Sequence, residues 1–331
     1  VYKRQLFRRL FMKRLLSLLV ILPLFALILT ACGNDDNKKE DGKITINTTV
    51  YPLKSFAEQI GGKHVNVKSI YPAGTDLHSY EPTQKDILNA SKADLFIYTG
   101  DDLDPVAKKV AGTIKDKDKK LSLQDKLSKS SLLPDHHHHG EEHEEHEHHH
   151  HGEYDPHIWL DPKMDQTFAK EIKDALIKKD PKHKKEYEKN YKKLNKELAN
   201  LDKEMKKVTK DKKDNVVFIS HESIGYLAHR YGFKQEGIQN MNAEDPSQKE
   251  LTQIVKEIRA SKAKYILYED NVANKVTDTI RKETDAKPLK FYNMESLNKD
   301  QQEEKDLSYQ KLMRENIKNL EKSLSSNVKE Q

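Results

Sequence analysis

The sequence predicts an α/β protein of two lobes, each with a parallel sheet flanked by helices, joined by one long rigid linking helix. Three observations carry this. Short β-rich runs alternate with helix-length segments, the pattern of βαβ units with right-handed crossovers. The runs fall into two sets on either side of a Lys/Glu-rich middle, and that middle carries a single apolar stripe at helical spacing. Of the 331 residues about 290 follow residue 42, enough for two domains of ordinary size.

At the N-terminus, Lys13 and Arg14 precede an apolar run from Leu15 to Ala31, which closes on Leu29, Thr30, Ala31 and Cys32. A charged region, an apolar region and small residues at the cut are the order of a secretory signal. The last four residues resemble a bacterial lipobox, in which the cysteine carries the lipid. Residues 1–31 are expected to be a lipoprotein signal peptide, Cys32 the lipidation site, and residues before Met12 an overextended start. A single membrane-spanning helix is the rival, but the run is near the lower limit of a span and contains Pro23. Residues 32–42, polar and without apolar periodicity, read as a flexible tether.

The leader distorts the overall charge. Residues 1–31 carry six basic and no acidic side chains, so the formal net charge of +5 becomes 5 − 6 = −1 without them. No basic surplus remains to neutralise phosphates, and a nucleic-acid partner is not expected. Cys32 is the only cysteine, so the mature fold has no disulfide and any metal site must be built from nitrogen and oxygen.

The N-terminal lobe is expected over residues 43–180, with strands at Ile44 to Val50, Val65 to Tyr71 and Leu95 to Thr99. Within it, residues 136–151 hold ten of the sixteen histidines: His136, His137, His138, His139, His143, His146, His148, His149, His150 and His151. Interleaved with glutamates, such a run cannot build a core. It reads as an accessory, weak metal-capturing loop, with a dispensable solvated loop as the alternative.

Residues 181–212 form the expected linking helix. Tyr187, Tyr191, Leu194, Leu198, Leu201, Met205 and Val208 alternate spacings of 4 and 3, and Pro181 suits a first turn. A coiled-coil seam is the competing reading of the same stripe. The C-terminal lobe, residues 213–331, should contain strands at Val216 to Ser220, Gln235 to Gln239, Tyr265 to Tyr268 and Leu289 to Tyr292.

Three histidines outside the run fall where open α/β sheets place their ligands, in turns beyond the carboxyl ends of strands. His78 lies in the loop after the strand ending at Tyr71, His157 between two Asp-Pro turns, and His221 directly after the strand at 216–220. A fourth, carboxylate ligand is expected at a strand end. Glu295 after the last strand fits, with Glu269 and Asp270 as rivals. Trp159 should pack beneath the His157 turn or orient a ligand, and Asp155 and Asp161 either cap turns or hold imidazoles. His64, His183 and His229 read as solvent-facing.

Taken together, the Leu29-Thr30-Ala31-Cys32 lipobox, residues 74–82 (GTDLHSYEP), the histidine run, residues 155–162 (DPHIWLDP), Ser220-His221-Glu222 and residues 293–297 (NMESL) resemble one family. It is the zinc-specific solute-binding lipoproteins of ABC importers, of the ZnuA and AdcA type, and the resemblance runs from the lipobox to the end. It implies that His78, His157, His221 and Glu295 bind one Zn²⁺ between the lobes and that Glu269 has a supporting role. It further implies a monomer, lipid-anchored on the extracytoplasmic face of the bacterial membrane, that delivers zinc to a permease with its cytoplasmic ATPase. Some AdcA-type relatives continue into a second zinc-binding domain of another fold, and no such domain is expected in this chain.

Three imidazoles and one carboxylate suit Zn²⁺ better than Mn²⁺, which favours more oxygen ligands. The manganese-binding relatives place a carboxylate where His221 stands, so that residue decides between the metals. A zinc-buffering or adhesin lipoprotein without a transport role is a further alternative. A metallohydrolase is not expected: residues 221–225 (HESIG) lack the second histidine of His-Glu-x-x-His, and four protein ligands leave a tetrahedral ion no position for water.

Overall fold

Two four-stranded sheets, every pairing parallel, are built with the same strand order. A computed structural model describes residues 42–134, 154–269 and 275–326. Cys32 and the signal peptide, the ten histidines of the run, and Asp270 lie outside the described residues. The N-terminal sheet comprises β1 (Ile44–Thr48), β2 (Val65–Ser69), β3 (Leu95–Tyr98) and β4 (Lys120–Ser122), in the order β2-β1-β3-β4. The C-terminal sheet comprises β5 (Val216–His221), β6 (Lys234–Gln239), β7 (Tyr265–Glu269) and β8 (Lys287–Phe291), in the order β6-β5-β7-β8. In each lobe the order reverses beside the first strand, and there the carboxyl ends open a crevice.

Helices flank both sheets. In the N-terminal lobe these are α1 (Tyr51–Gly61), α2 (Gln84–Ser91), α3 (Pro105–Thr113) and α4 (Pro162–Lys179). Then come α5 (Lys184–Val208), α6 (Gly225–Tyr231), α7 (Gln248–Ala260), α8 (Lys275–Thr284), α9 (Lys299–Glu303) and α10 (Tyr309–Ser326). Local chemistry sets their starts. Asp104-Pro105 and Asp161-Pro162 each place an aspartate at the N-cap, its carboxylate accepting from the turn's N–H groups, ahead of a proline whose missing N–H costs nothing there. Thr83 with Asp86 and Ser247 with Glu250 form capping boxes.

The sequence-predicted strands are present with shifted ends. His221 and Glu269 are the last residues of β5 and β7 rather than the first residues after them. The three-residue β4, with Leu121 as its one buried side chain, was too short to leave a pattern in the sequence. The linking helix begins after a 3-10 turn at Pro181–His183 and ends at Val208.

The alternation along the strands divides the interior. Ile97, Val217 and Ile219 face a core shared with Leu194, Leu198, Leu201 and Met205 of α5, whereas Phe96, Tyr98 and Phe218 point to two smaller outer clusters. The shared core includes residues of both sheets, and the stripe of α5 packs on α1, α4 and α10 of the same chain, so it is consumed internally rather than as a coiled-coil seam. Polar ties reinforce this packing. Arg314 of α10 reaches Glu197 and Glu204 of α5, Tyr231 OH donates to Asp202, and Gln59 and Gln310 exchange hydrogen bonds between α1 and α10.

Leu198 is fully buried at the middle of this stripe. Leu198→Ala should therefore cost about 2–5 kcal/mol of stability, whereas Arg314→Ala should cost no more than about 1 kcal/mol because the ion pairs are half exposed. Urea unfolding of the two variants checks the contrast, and equal losses would mean that surface charge, not the shared core, joins the lobes.

Candidate metal centre

Four side chains from four separate segments meet in the interlobe crevice. His78, His157, His221 and Glu295 each offer one ligand atom, and these atoms lie within 4.8 Å of one another. His157 and His221 are fully buried, Glu295 is 1% exposed, and the His78 side chain is 7% exposed, which makes its loop the solvent side of the cluster. The imidazole centroids are 4.8–5.5 Å apart. Nε2 of His78 and Nε2 of His157 are both 3.7 Å from Oε1 of Glu295. A tetrahedral ion with bonds of about 2.0–2.1 Å holds its ligand atoms about 3.3 Å apart, so the cluster needs only a small contraction to close.

Each buried imidazole is aimed by a carboxylate behind it. Asp155 Oδ1 accepts from the backbone N–H of His157 and lies 2.8 Å from its Nδ1, which leaves Nε2 for the crevice. Asp155 thus caps the turn and orients the ring at once. Glu269, at the end of β7 beside β5, lies 3.0 Å from His221 Nδ1 and accepts from the hydroxyls of Ser220 and Ser223. Those hydroxyls fix the glutamate so that it supports His221 from behind. Asp161, by contrast, accepts from Lys163 N–H and Arg230 Nε, so it caps α4 and anchors an arginine instead of holding an imidazole.

Glu295 is held by a turn rather than a strand. Asn293 Oδ1 accepts from the Glu295 N–H, Asn293 Nδ2 donates to Oε1, and Leu77 N–H donates to Oε2. Met294 between them takes a positive φ of 60°, a strained conformation for a side chain with a Cβ, which its burial helps to maintain. Trp159, fully buried, packs edge-on to His157 and donates its indole N–H to Asn293 O at 2.7 Å. The Glu295 turn is also stitched to the His78 loop: Gly74 N–H donates to Leu297 O, and Ser296 Oγ to Thr75 O. The loops of the two lobes therefore hold each other in register.

Burial alone would lower the pKa of His157, yet its hydrogen bond to Asp155 and the charges of Asp155 and Glu295 push it up to about 10. Burial would raise Glu295, but His157, His78 and His221 hold it at about 2. His221 is raised as well, Glu269 outweighing burial and the neighbouring His157. Glu295 is thus held as a carboxylate facing the three imidazoles, and His157 holds its proton more tightly than a free imidazole does.

The other described histidines behave differently. His229 is exposed, as expected, but His64 is not solvent-facing. Its ring stacks on His183 at 3.6 Å and its Nε2 lies 2.9 Å from Glu186, at the joint between α1 and the linking helix. Asp180 and Tyr187 complete this group. It gave no sequence signal, because its members are scattered from residue 64 to residue 187.

Residues 46–323 match the family described as ZnuA, zinc-uptake complex component A, periplasmic. The chain is 33% identical over 321 residues to the high-affinity zinc uptake system protein ZnuA of Bacillus subtilis, covering 94% of this chain and 98% of that one. It is 31% identical over 306 residues to the zinc-binding lipoprotein AdcA of Streptococcus pneumoniae, covering 92% of this chain but only 60% of that relative. The Zn(II)-bound ZnuA-like domain of Streptococcus pneumoniae AdcA superposes with a TM-score of 0.70 at 29% identity, covering 86% of this chain and 99% of that structure. Fold, crevice and sequence agree, and the chain belongs to the zinc-uptake complex component A family.

Proposed function

We propose that this chain captures Zn²⁺ with His78, His157, His221 and Glu295 and delivers it to the permease of an ABC importer driven by a cytoplasmic ATPase. The observation that supports this most is the donor set itself: three imidazoles and one carboxylate within 4.8 Å, enclosed between two lobes. Rich in nitrogen and offering four ligand atoms, it suits zinc over manganese or calcium. Four protein ligands leave no place for an activated water, so the site fits a carrier rather than a catalyst. Zinc relatives with matching architecture, bound to Zn(II) in the AdcA case, support the same assignment.

The remaining parts of the reading follow from sequence. Residues 1–31 would direct export and Cys32 would anchor a monomer to the bilayer through the tether at 32–42. Among the described residues no helix is long and apolar enough to cross a membrane. Residues 43–180 and 213–331 would act as the lobes and 181–212 as the link. The histidines of 136–151 would gather zinc weakly beside the crevice. Because α5 shares its core with both lobes, release would proceed by displacement of a ligand-bearing loop, and the His78 loop is the least enclosed.

The decisive test is metal counting. The protein lacking residues 136–151, stripped by chelator and exposed to equal zinc and manganese, should retain one zinc per chain, and His221→Ala should abolish it. No tight zinc without the run would transfer the function to the histidine segment.

Removing an orienting carboxylate should act more mildly. Asp155→Asn or Glu269→Gln should weaken zinc binding about 10–100-fold without abolishing it. Competition against a chromophoric chelator measures the loss, and wild-type affinity in both variants would show that the carboxylates do not tune the site.

Protons compete with zinc at this site. His157 has its pKa raised from 6.5 to about 10, so its contribution to metal-free stability is complete below 6.5 and lost as pH rises through 10. Glu295, lowered from 4.5 to about 2, contributes above 4.5 and loses it as pH falls through 2. Metal-free protein should therefore lose stability between pH 7 and 10, while zinc affinity rises over the same range and falls toward pH 5. Calorimetric titration in buffers of different ionisation enthalpy should show at least one proton released per zinc at pH 7.5, and none released would contradict a protonated His157.

A further inference from the structure

His157 belongs to the N-terminal lobe, yet the group that aims it is gripped by the other lobe. Asp155 uses Oδ1 for both His157 contacts, and its Oδ2 faces the first residue of α6. A Cβ placed on Gly225 would stand 2.5 Å from that Oδ2, well inside contact distance, and 3.2 Å from Gln235 Nε2. Gln235 cannot readily retreat, because its Oε1 accepts from the Ile224 N–H. The next residue, Tyr226, is 2% exposed and donates its phenol to Asp155 O at 2.8 Å, while accepting from the Leu133 N–H. Asp155 N–H in turn donates to Leu133 O. The peptide carrying Asp155 is therefore clasped on its carbonyl by Tyr226 and on its carboxylate side by the bare Cα of Gly225.

We infer that Gly225 and Tyr226 are positioning residues for the metal ligand His157, acting across the lobe interface through Asp155. They begin a helix only four residues after the ligand His221, so one short segment of the C-terminal lobe supplies a ligand directly and sets the aim of another. A glycine is required at 225 because the space a side chain would fill is the space the Asp155 carboxylate needs to reach Nδ1 of His157. Any Cβ displaces that carboxylate, and the imidazole loses the hydrogen bond that selects Nε2 for the crevice. The consequence is a built-in link between the lobe contact and ligand quality: a shift of α6 away from Asp155 loosens His157 without touching it. This inference rests on the zinc reading above.

The test is a double-substitution cycle in the full chain with zinc as the probe. Zinc affinity is measured for the unsubstituted protein, Asp155→Ala, Gly225→Ala, the pair together, and Tyr226→Phe, with thermal unfolding to confirm folding. Gly225→Ala is expected to weaken zinc about 10–100-fold in the normal background and to cost nothing further beside Asp155→Ala, where no carboxylate remains to be displaced. Tyr226→Phe, which keeps the ring, should weaken zinc by a smaller factor, on the order of tenfold, and both variants should move the His157 Nδ1–H resonance. An equal loss from Gly225→Ala in both backgrounds, or an unchanged affinity, overturns the inference. If Gly225→Ala does not fold, Tyr226→Phe decides: unchanged affinity with an unmoved His157 resonance overturns it. One tightly held zinc in the unsubstituted protein that His221→Ala removes separates the two ideas, since its absence sinks the carrier reading and this inference together, whereas its presence with unaffected variants sinks this inference alone.

Discussion

A carboxylate buried among three imidazoles constrains the rest of this molecule. Glu295 at 1% exposure would be untenable as an isolated charge, and it persists because His78, His157 and His221 surround it and Leu77 and Asn293 donate to it. Such a group can exist only where several chain segments are held in fixed register. The shared core, the clamped linking helix and the loop-to-loop hydrogen bonds supply that register.

The repeated strand order explains where the ligands sit. Each sheet reverses beside its first strand, and in the C-terminal lobe the reversal brings the ends of β5 and β7 together, so His221 and Glu269 become neighbours despite a sequence separation of 48. The N-terminal lobe contributes its two histidines to the cluster from loops instead, His78 after β2 and His157 after the long excursion beyond β4. Loop ligands need anchoring, and they receive it from the opposite lobe: Gly74 and Thr75 through Leu297 and Ser296, and Asp155 through Tyr226. A cation bound here is thus bound by the interface rather than by either lobe.

The carboxylates behind His157 and His221 raise the imidazole pKa values against the effect of burial, and they also make those rings better ligands once the proton leaves. The price is competition between metal and proton near neutrality.

Much of this was written in the sequence. Runs of β-branched residues, the 4-3 stripe of the linking helix and the Asp-Pro caps are local signals, because each depends only on residues within a few turns of one another. The three clustered histidines were legible from local signals too, His78 in the loop after β2, His157 between two Asp-Pro turns and His221 at the end of β5. Local signals could not divide Glu295 from Glu269, since both stand at a strand end. Tertiary structure divided them: Ser220, Ser223 and His221 Nδ1 draw Glu269 behind the ring, while the Asn293 turn pushes Glu295 into the centre. Nor could sequence assign Asp161 to Arg230, pair His64 with His183, or reveal why residue 225 is a glycine. Those roles depend on which surfaces meet when the lobes close on the linking helix, a matter of contacts between distant segments that no local pattern encodes.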